Sequence, residues 1–528
     1  MTDLHRFAMS RRRLVQFGGG AATAASFALM LDERPALAQP VFAEYPFQLG
    51  VAAGDPAADG FVIWTRLATD PLAFGYGMPR QAIEVAWEVA SDGGFKSIVK
   101  SGTALARPEL GHSVHVEVAG LEPARPYFYR FVAGKERSGV GRAKTLQAAG
   151  ASVASARFAL AGCQNYENGY FTAYRKLAGE DLDFVYHYGD YIYEGRGMRM
   201  RNTPDGPVLN PRQHVGEEIY SLDDYRRRYA QYRMDTDLQA AHAATAWFCT
   251  WDDHETDNNW AKDLDQDGTP AEIFNLRRQA AAQAYYEHMP LRSSALPVGP
   301  SIQLYRRAAF GDLMSLQVLD TRQYRSDQPC GDKWGVCGEL DREAEMMGLK
   351  QEKWLYEGLS ASKARWNVLA QQVMVMDLDR DPGPDYQANI DSWGGYRTPR
   401  ARMLNALKSR RVANPIILTG DEHQNYAGEV YLDSRKPDGA PVAAEFVGTS
   451  ISSGGDGIDQ RPDYVKIQAV NPALKFNNAQ RGYVVCEVTP QAWTSVFKVL
   501  DRISTPGGTL STRAKAIVEP GSSTVTIE

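Results

Sequence analysis

The sequence predicts an α/β domain preceded by an immunoglobulin-like all-β sandwich, and three observations carry that expectation. Residues 44–148 alternate short β-rich runs with Gly, Pro and Asp turns. From Arg157 onward, apolar runs of strand length are followed by stretches of helical composition. Several runs end directly in acidic strings: Gly189-Asp190-Tyr191-Ile192-Tyr193, Trp251-Asp252-Asp253-His254-Glu255 and Gly420-Asp421-Glu422-His423. In an open α/β sheet the ligand crevice lies beyond the carboxyl ends of the strands, so separate strings can meet at one site.

The chain has 528 residues, 44% hydrophobic and 23% charged, enough for two or more domains with a large core. A formal charge of -6 leaves no basic excess for a nucleic-acid backbone, and the arginines at 11–13 and 226–228 do not change that. Residues 1–38 read as processing information. Ser10-Arg11-Arg12-Arg13-Leu14-Val15 precedes a weakly apolar run from Phe17 to Met30, and Ala36-Leu37-Ala38 offers small residues for cleavage. This resembles a twin-arginine export signal, which makes the twin-arginine translocase a partner during export. No later segment supplies about 20 uninterrupted apolar residues, so a soluble periplasmic or secreted protein is expected.

In residues 44–148, runs such as Gly60–Thr65, Ile83–Val89, His115–Val118 and Tyr127–Val132 give about seven short strands, the number a sandwich requires. Ala148 to Ala156 reads as a linker. Residues 157–505 form the expected catalytic domain, with strands at Phe158–Gly162, Leu182–Tyr188, Met314–Leu319, Trp366–Met376, Pro415–Thr419, Ala443–Val447 and Tyr483–Val488. Ala240 to Phe248 has helical composition. Residues 506–528, rich in Ser, Thr and Gly, read as a peripheral tail. Of five cysteines, Cys330 and Cys337 flank a Gly-rich stretch and either close a short loop or stay free; Cys249 and Cys486 lie in apolar strings as buried small hydrophobes.

Asp190 is the strongest site residue, because a carboxylate after glycine at a strand end can bridge two cations. Tyr193, three residues on, is either a phenolate ligand suited to Fe³⁺ or a wall aromatic. Cys163 follows Gly162 at another strand end and is either a thiolate ligand or a buried thiol. In Trp251–Trp260, Asp253 and Asn259 suit cations, and His254 can donate a proton to a leaving oxygen; the alternative is a solvated loop. Asp421 and His423 alternate by two, which in an extended segment puts both on one face for joint ligation. The alternative there is a polar turn. Arg322, after the run Met314–Leu319, either clamps phosphate oxygens or makes a structural ion pair. Hard carboxylates argue against a structural zinc site and for a multinuclear hydrolase.

Leu49-Gly50-Val51-Ala52-Ala53-Gly54-Asp55-Pro56, Trp64-Thr65-Arg66-Leu67, Gly162-Cys163, GDYIYE, WDDHETDNNW, Leu319-Asp320-Thr321-Arg322-Gln323-Tyr324 and GDEHQ together resemble the PhoD-type alkaline phosphatases in order and spacing. The resemblance runs through nearly all of the mature chain. It implies a β-sandwich followed by a four-layer αββα metallophosphoesterase-like domain. It further implies hydrolysis of small phosphate monoesters and diesters by a hydroxide held on the cofactors Fe³⁺ and Ca²⁺. By motif, it places metal contacts on Cys163, Asp190, Tyr193, Asp253, Asn259, Asp421 and His423; the family label does not fix which proton moves, and His254, Arg322 and Asp190 are the catalytic candidates on the reading of the residues themselves. The Pro506-Gly507-Gly508 and Pro520-Gly521 strings depart from the family's C-terminal helix over the active site. Competing readings are a phospholipase D-like or organophosphate triester hydrolase with a different pocket wall, and a non-catalytic calcium-binding adhesion protein.

Overall fold

Apolar runs without polar alternation belong to strands buried on both faces, and two such sheets build this protein. The computed structural model describes residues 40–528 apart from 204–205, 332–336, 384 and 435–436; the export signal expected over 1–38 lies outside them. A ten-stranded sheet has a parallel centre of Ala156–Ala161, Phe184–His187, Ala246–Cys249 and Val51–Ala57. An eight-stranded sheet has a parallel centre of Met314–Val318, Trp366–Ala370, Pro415–Thr419 and Ala443–Val447.

Side-chain alternation along these strands divides two cores. Phe158, Leu160, Phe184, Tyr186 and Phe248 face the second sheet and meet Leu316, Val318, Val368, Ile416 and Phe446. Their neighbours Ala159, Ala161, Val185 and Trp247 point outward, against helices Thr172–Leu177, Leu222–Arg233, Thr236–Ala244 and Ala271–His288. On the other side, Leu369 and Ile417 meet Leu355, Leu359, Met403 and Leu404 of helices Gly348–Ala361 and Arg397–Ser409. Each sheet is thus covered on both faces, and the parallel strands direct their carboxyl ends to one edge of the sandwich.

The N-terminal region is all-β and contains two packed sheets, with Phe61, Ile63, Val85, Val89, Tyr129 and Phe131 in their common core. It is not closed on itself. Strand Val51–Ala57 pairs in parallel with Ala246–Cys249, so it and strands Gly60–Arg66 and Ser113–Val118 continue the ten-stranded sheet. A sequence boundary near 148 separates segments of chain, while backbone hydrogen bonds cross it. The stretch after 505 also differs from the expected peripheral tail. Leu510–Val518 and Thr526–Ile527 pair as edge strands of the same sheet, and Ala516, Val518 and Val525 are buried.

Two local expectations shift, and the open question about the cysteines is decided. The helix expected over Ala240–Phe248 ends at Ala244, and the β-branch-free run Ala246–Cys249 is instead a central strand. The strand expected over Trp366–Met376 stops at Ala370, beyond which Gln371 and Gln372 turn into a buried loop. Cys330 and Cys337 are joined in a disulfide, whereas Cys249 and Cys486 are free and buried. No helix among the described residues is long and apolar enough to cross a membrane.

Candidate metal centre

The site lies where strands of both sheets end. Cys163 follows strand Ala156–Ala161, Asp190 follows Phe184–His187, Asp252 and Asp253 follow Ala246–Cys249, and Asp421 follows Pro415–Thr419. At each position the chain must turn at once, and Cys163, Asp190, Asn259, Asp421 and His423 all have left-handed φ between 50° and 66°. Such backbone costs about 1 kcal/mol or more per residue and persists where surrounding structure enforces it. Tyr188 supplies part of that enforcement. Its ring fills the space that a Cβ would take at Gly162 and Gly420, 2.3 and 2.0 Å away, so glycine is required before both Cys163 and Asp421.

Three groups of ligand atoms result, each with all members within 4.8 Å: Cys163, Asp190 and His423; Asp190, Asp253 and His254; Asp252, Asp253 and Asp421. Asp190 and Asp253 are shared, which chains the groups together. Tyr193 joins the first, its hydroxyl donating to Asp190 Oδ2 at 2.7 Å and lying 3.1 Å from His423 Nε2. Ser453 Oγ lies 2.6 Å from the same hydroxyl. Asn259 reaches the third group through its backbone: its N–H donates to Asp253 Oδ2 at 2.8 Å.

Two site expectations are corrected by this geometry. Asp421 and His423 are not in an extended segment on one face; left-handed turns at both send Asp421 to the Asp252–Asp253 group and His423 to Cys163 and Asp190. Arg322 is not a free clamp for phosphate. It is fully buried, with Nε donating to Asp252 Oδ1 at 2.5 Å and Nη1 and Nη2 donating to the two oxygens of Asp391 at 2.9 and 2.7 Å. Its planar fork is filled by carboxylates of the protein itself, which makes it a countercharge inside the site.

The electrostatics are those of a site built around cations. Burial, followed by the charge of Asp253, pushes Asp190 up to about 7 and Asp252 up to about 8. Burial and the nearby acids hold Asp421 and Cys163 well above their ordinary values. Burial acts on Asp253 in the same sense, but Arg322, His254 and the Asn259 amide outweigh it and hold that carboxyl below its usual range. Asp190 Oδ1 and Asp252 Oδ2 are buried without a hydrogen-bond partner. Buried carboxylates left without donors need a positive charge, and a bound cation supplies one while releasing protons from its ligands. The residues present therefore fit a multinuclear metal site.

Four supporting groups carry little or no signal in the sequence. Asp252 is overshadowed there by its neighbour Asp253, although both enter the site. Glu255 accepts from the backbone N–H of Asp190, Tyr191 and Asp252 at 3.1, 2.6 and 2.8 Å, pinning two strand-end turns together. Glu194 accepts from His254 Nδ1 at 2.7 Å. Burial alone lowers the affinity of His254 for its proton, but Glu194, Asp253 and Asp190 outweigh it and hold the imidazole protonated well above its ordinary range. Asp391 has no strand-end signal at all, since it precedes a short 3₁₀ turn at Trp393–Gly395.

A family model described as PhoD-like phosphatase matches residues 158–497, and one for the N-terminal domain of PhoD-like phosphatases matches 33–147. The chain belongs to the PhoD-like phosphatase family. It is 48% identical over 516 residues to alkaline phosphatase D of Bacillus subtilis (strain 168), a match that covers 96% of this chain and 87% of that protein. A solved structure of PhoD aligns with a TM-score of 0.88 at 48% identity, covering 92% of this chain and 94% of that one. As a PhoD-like phosphatase the protein is a metal-dependent phosphoric ester hydrolase of the alkaline phosphatase class. That membership sets aside the reading as a calcium-binding adhesion protein.

Proposed function

We propose that the protein hydrolyses small phosphate monoesters and diesters at a site holding one Fe³⁺ and Ca²⁺. Cys163, Tyr193 and His423, with Asp190, suit the ferric ion, because thiolate, phenolate and imidazole are ligands that iron accepts and calcium does not. Asp253, Asn259 and Asp421, again with Asp190 and now with Asp252, offer the oxygen-only set that calcium prefers. The carrying observation is that the three ligand groups share Asp190 and Asp253, so cations held there act on one substrate. When bound, the cations supply Lewis acidity and neutralise charge on the phosphoryl oxygens.

The chain's own residues order the reaction around that charge. Glu194 fixes Nδ1 of His254, which leaves Nε2 to carry the proton for a leaving alkoxide. The His254 ring packs on Tyr193 with centroids 4.0 Å apart, so the acid and the phenolate ligand are positioned together. Arg322 keeps Asp253 ionised from behind the site. Glu255 holds the Asp190 and Asp252 turns in register.

In this reading the two covered sheets are the four-layer αββα arrangement of metallophosphoesterases, and the N-terminal strands are an immunoglobulin-like sandwich fused to it. The motif at Arg11-Arg12-Arg13 directs export by the twin-arginine route to the periplasm or beyond. The test is elemental analysis of protein purified without added metal, paired on the same sample with hydrolysis of aryl phosphate monoesters and diesters. Near-stoichiometric iron with calcium-dependent turnover is expected. Zinc or manganese alone with full activity would overturn the cofactor assignment.

A further inference from the structure

Two arginines from remote parts of the chain meet on one turn at the rim of the site. Ser453 Oγ, 2.6 Å from the Tyr193 hydroxyl, donates to the carbonyl of Cys163 at 2.8 Å. The next residues, Gly454 and Gly455, have φ of 88° and 76°. A Cβ on Gly454 would lie 2.9 Å from Arg481 Nη2, and one on Gly455 would lie 2.1 Å from Arg201 Nη2. The guanidinium groups therefore rest against adjacent residues, one and two positions beyond the serine that touches Tyr193.

Neither arginine has an acidic partner in a salt bridge among the described residues. Arg481 is 5% exposed; its Nε donates to the Gly455 carbonyl at 2.7 Å and its Nη1 to the His423 carbonyl. Arg201 comes from the hairpin Met200–Thr203 and Gly206–Leu209; its Nη1 donates to Asn210 Oδ1 at 3.1 Å, and its Nε is buried without a partner. Asp456 is the acid whose charge reaches Arg201, but its oxygens are taken by the backbone N–H groups of Ile503 and Ser504 and by the Ser504 hydroxyl, at 2.6 to 2.7 Å. Arg322 and Arg380, by contrast, meet carboxylates at 2.7 Å. Two guanidiniums brought together beside a phosphoester site, with carbonyl and amide contacts only, gain most from an anion that arrives with the substrate.

We propose that Arg201 and Arg481 form a subsite for a second anionic group, a phosphate or carboxylate, carried by the part of the substrate that is not transferred. The inference rests on the hydrolase reading of the neighbouring cation site and adds to it a substrate class, esters whose leaving alcohol is itself anionic. Arg481 also holds the His423 carbonyl, so Arg201 is the cleaner position to change.

The test compares phosphate release from propyl phosphate, propane-1,3-diol bisphosphate and the phosphate ester of 3-hydroxypropanoate by the metal-loaded enzyme. The wild type should favour at least one doubly anionic ester over propyl phosphate by about 10-fold or more in kcat/KM, mostly through KM, as a charge-assisted contact is worth that much. Which ester is favoured distinguishes a phosphate from a carboxylate. Arg201→Gln should bring that ratio close to one, and Arg201→Lys should retain part of it. A wild-type ratio of one, a ratio unchanged in Arg201→Gln, or equal losses on both substrates would overturn the subsite. Absence of turnover on all three esters by the wild type would sink the hydrolase reading, and the subsite with it.

Discussion

The two sides of the metal centre solve the same electrostatic problem differently. On one side Cys163, Tyr193 and His423 surround Asp190, and among the described residues no arginine or lysine forms an ion pair with that carboxylate. Burial holds the thiol and the phenol well above their ordinary values and pushes His423 down to about 3, so without a cation these three ligands are neutral. On the other side Asp252, Asp253 and Asp421 crowd together, and Arg322 stands behind them with Asp391 as its second partner. One side depends on an ion that displaces protons; the other carries part of its countercharge in the fold.

That contrast is broken most severely by Cys163→Ser. It should abolish iron binding and lower turnover by at least about 100-fold, since even outer-shell changes at metal sites cost 10–100-fold. The fold should survive, because the side chain sits at the end of a strand whose core partners are unchanged. Full iron content with near-normal kinetics would remove the thiolate from the site. On the opposite side, Arg322→Met should destabilise the protein by about 3–5 kcal/mol, the usual result of leaving buried carboxylates unpaired. Thermal unfolding checks this, and a variant of wild-type stability with only a raised KM would restore the phosphate-clamp role.

Metal removal sharpens the comparison through pH. Asp190 and Asp252 are raised in the folded protein to about 7 and about 8, whereas unfolded aspartates titrate near about 4. Between those values the cation-free native state binds protons that the unfolded state has released. The contribution of these two groups to its stability therefore falls as pH rises from about 4 to about 8. Bound cations keep these carboxylates ionised and flatten the slope. Melting curves with and without chelator at several pH values should diverge toward alkaline pH; parallel curves would contradict the assignment. The smallest effect is expected for Glu194→Gln. Without that carboxylate the His254 proton is held less tightly, so the alkaline limb of the kcat profile should move down by about one unit or more. An unmoved limb would mean that His254 is not the proton donor.

Residues whose role follows from local position are legible in the chain itself. Glycine followed by a ligand-type residue at the end of an apolar run locates Cys163, Asp190 and Asp421, because the runs fix where strands stop and the glycines leave room for the close packing of Tyr188 and Asp252 there. Where local position misleads, a backbone angle or a distant partner decides. Alternation by two assigns Asp421 and His423 to one face, but left-handed φ at both positions sends them to different groups. The strand-end position of Arg322 is compatible with a clamp, and only Asp391, 69 residues away in the chain, closes it off.

Fold and site divide along the same line. Periodicity, turn chemistry and strand-end acids determined that this chain is a β-rich module followed by an α/β domain with a carboxylate-rich, histidine-bearing site. They act over a few residues, and the sequence states them directly. The tertiary structure alone decided that the N-terminal strands and Leu510–Val518 complete the ten-stranded sheet, that Asp252 belongs to the site and that Arg322 is enclosed. Each of those outcomes depends on which remote edge or charge satisfies a buried group, and chain order does not encode that pairing locally.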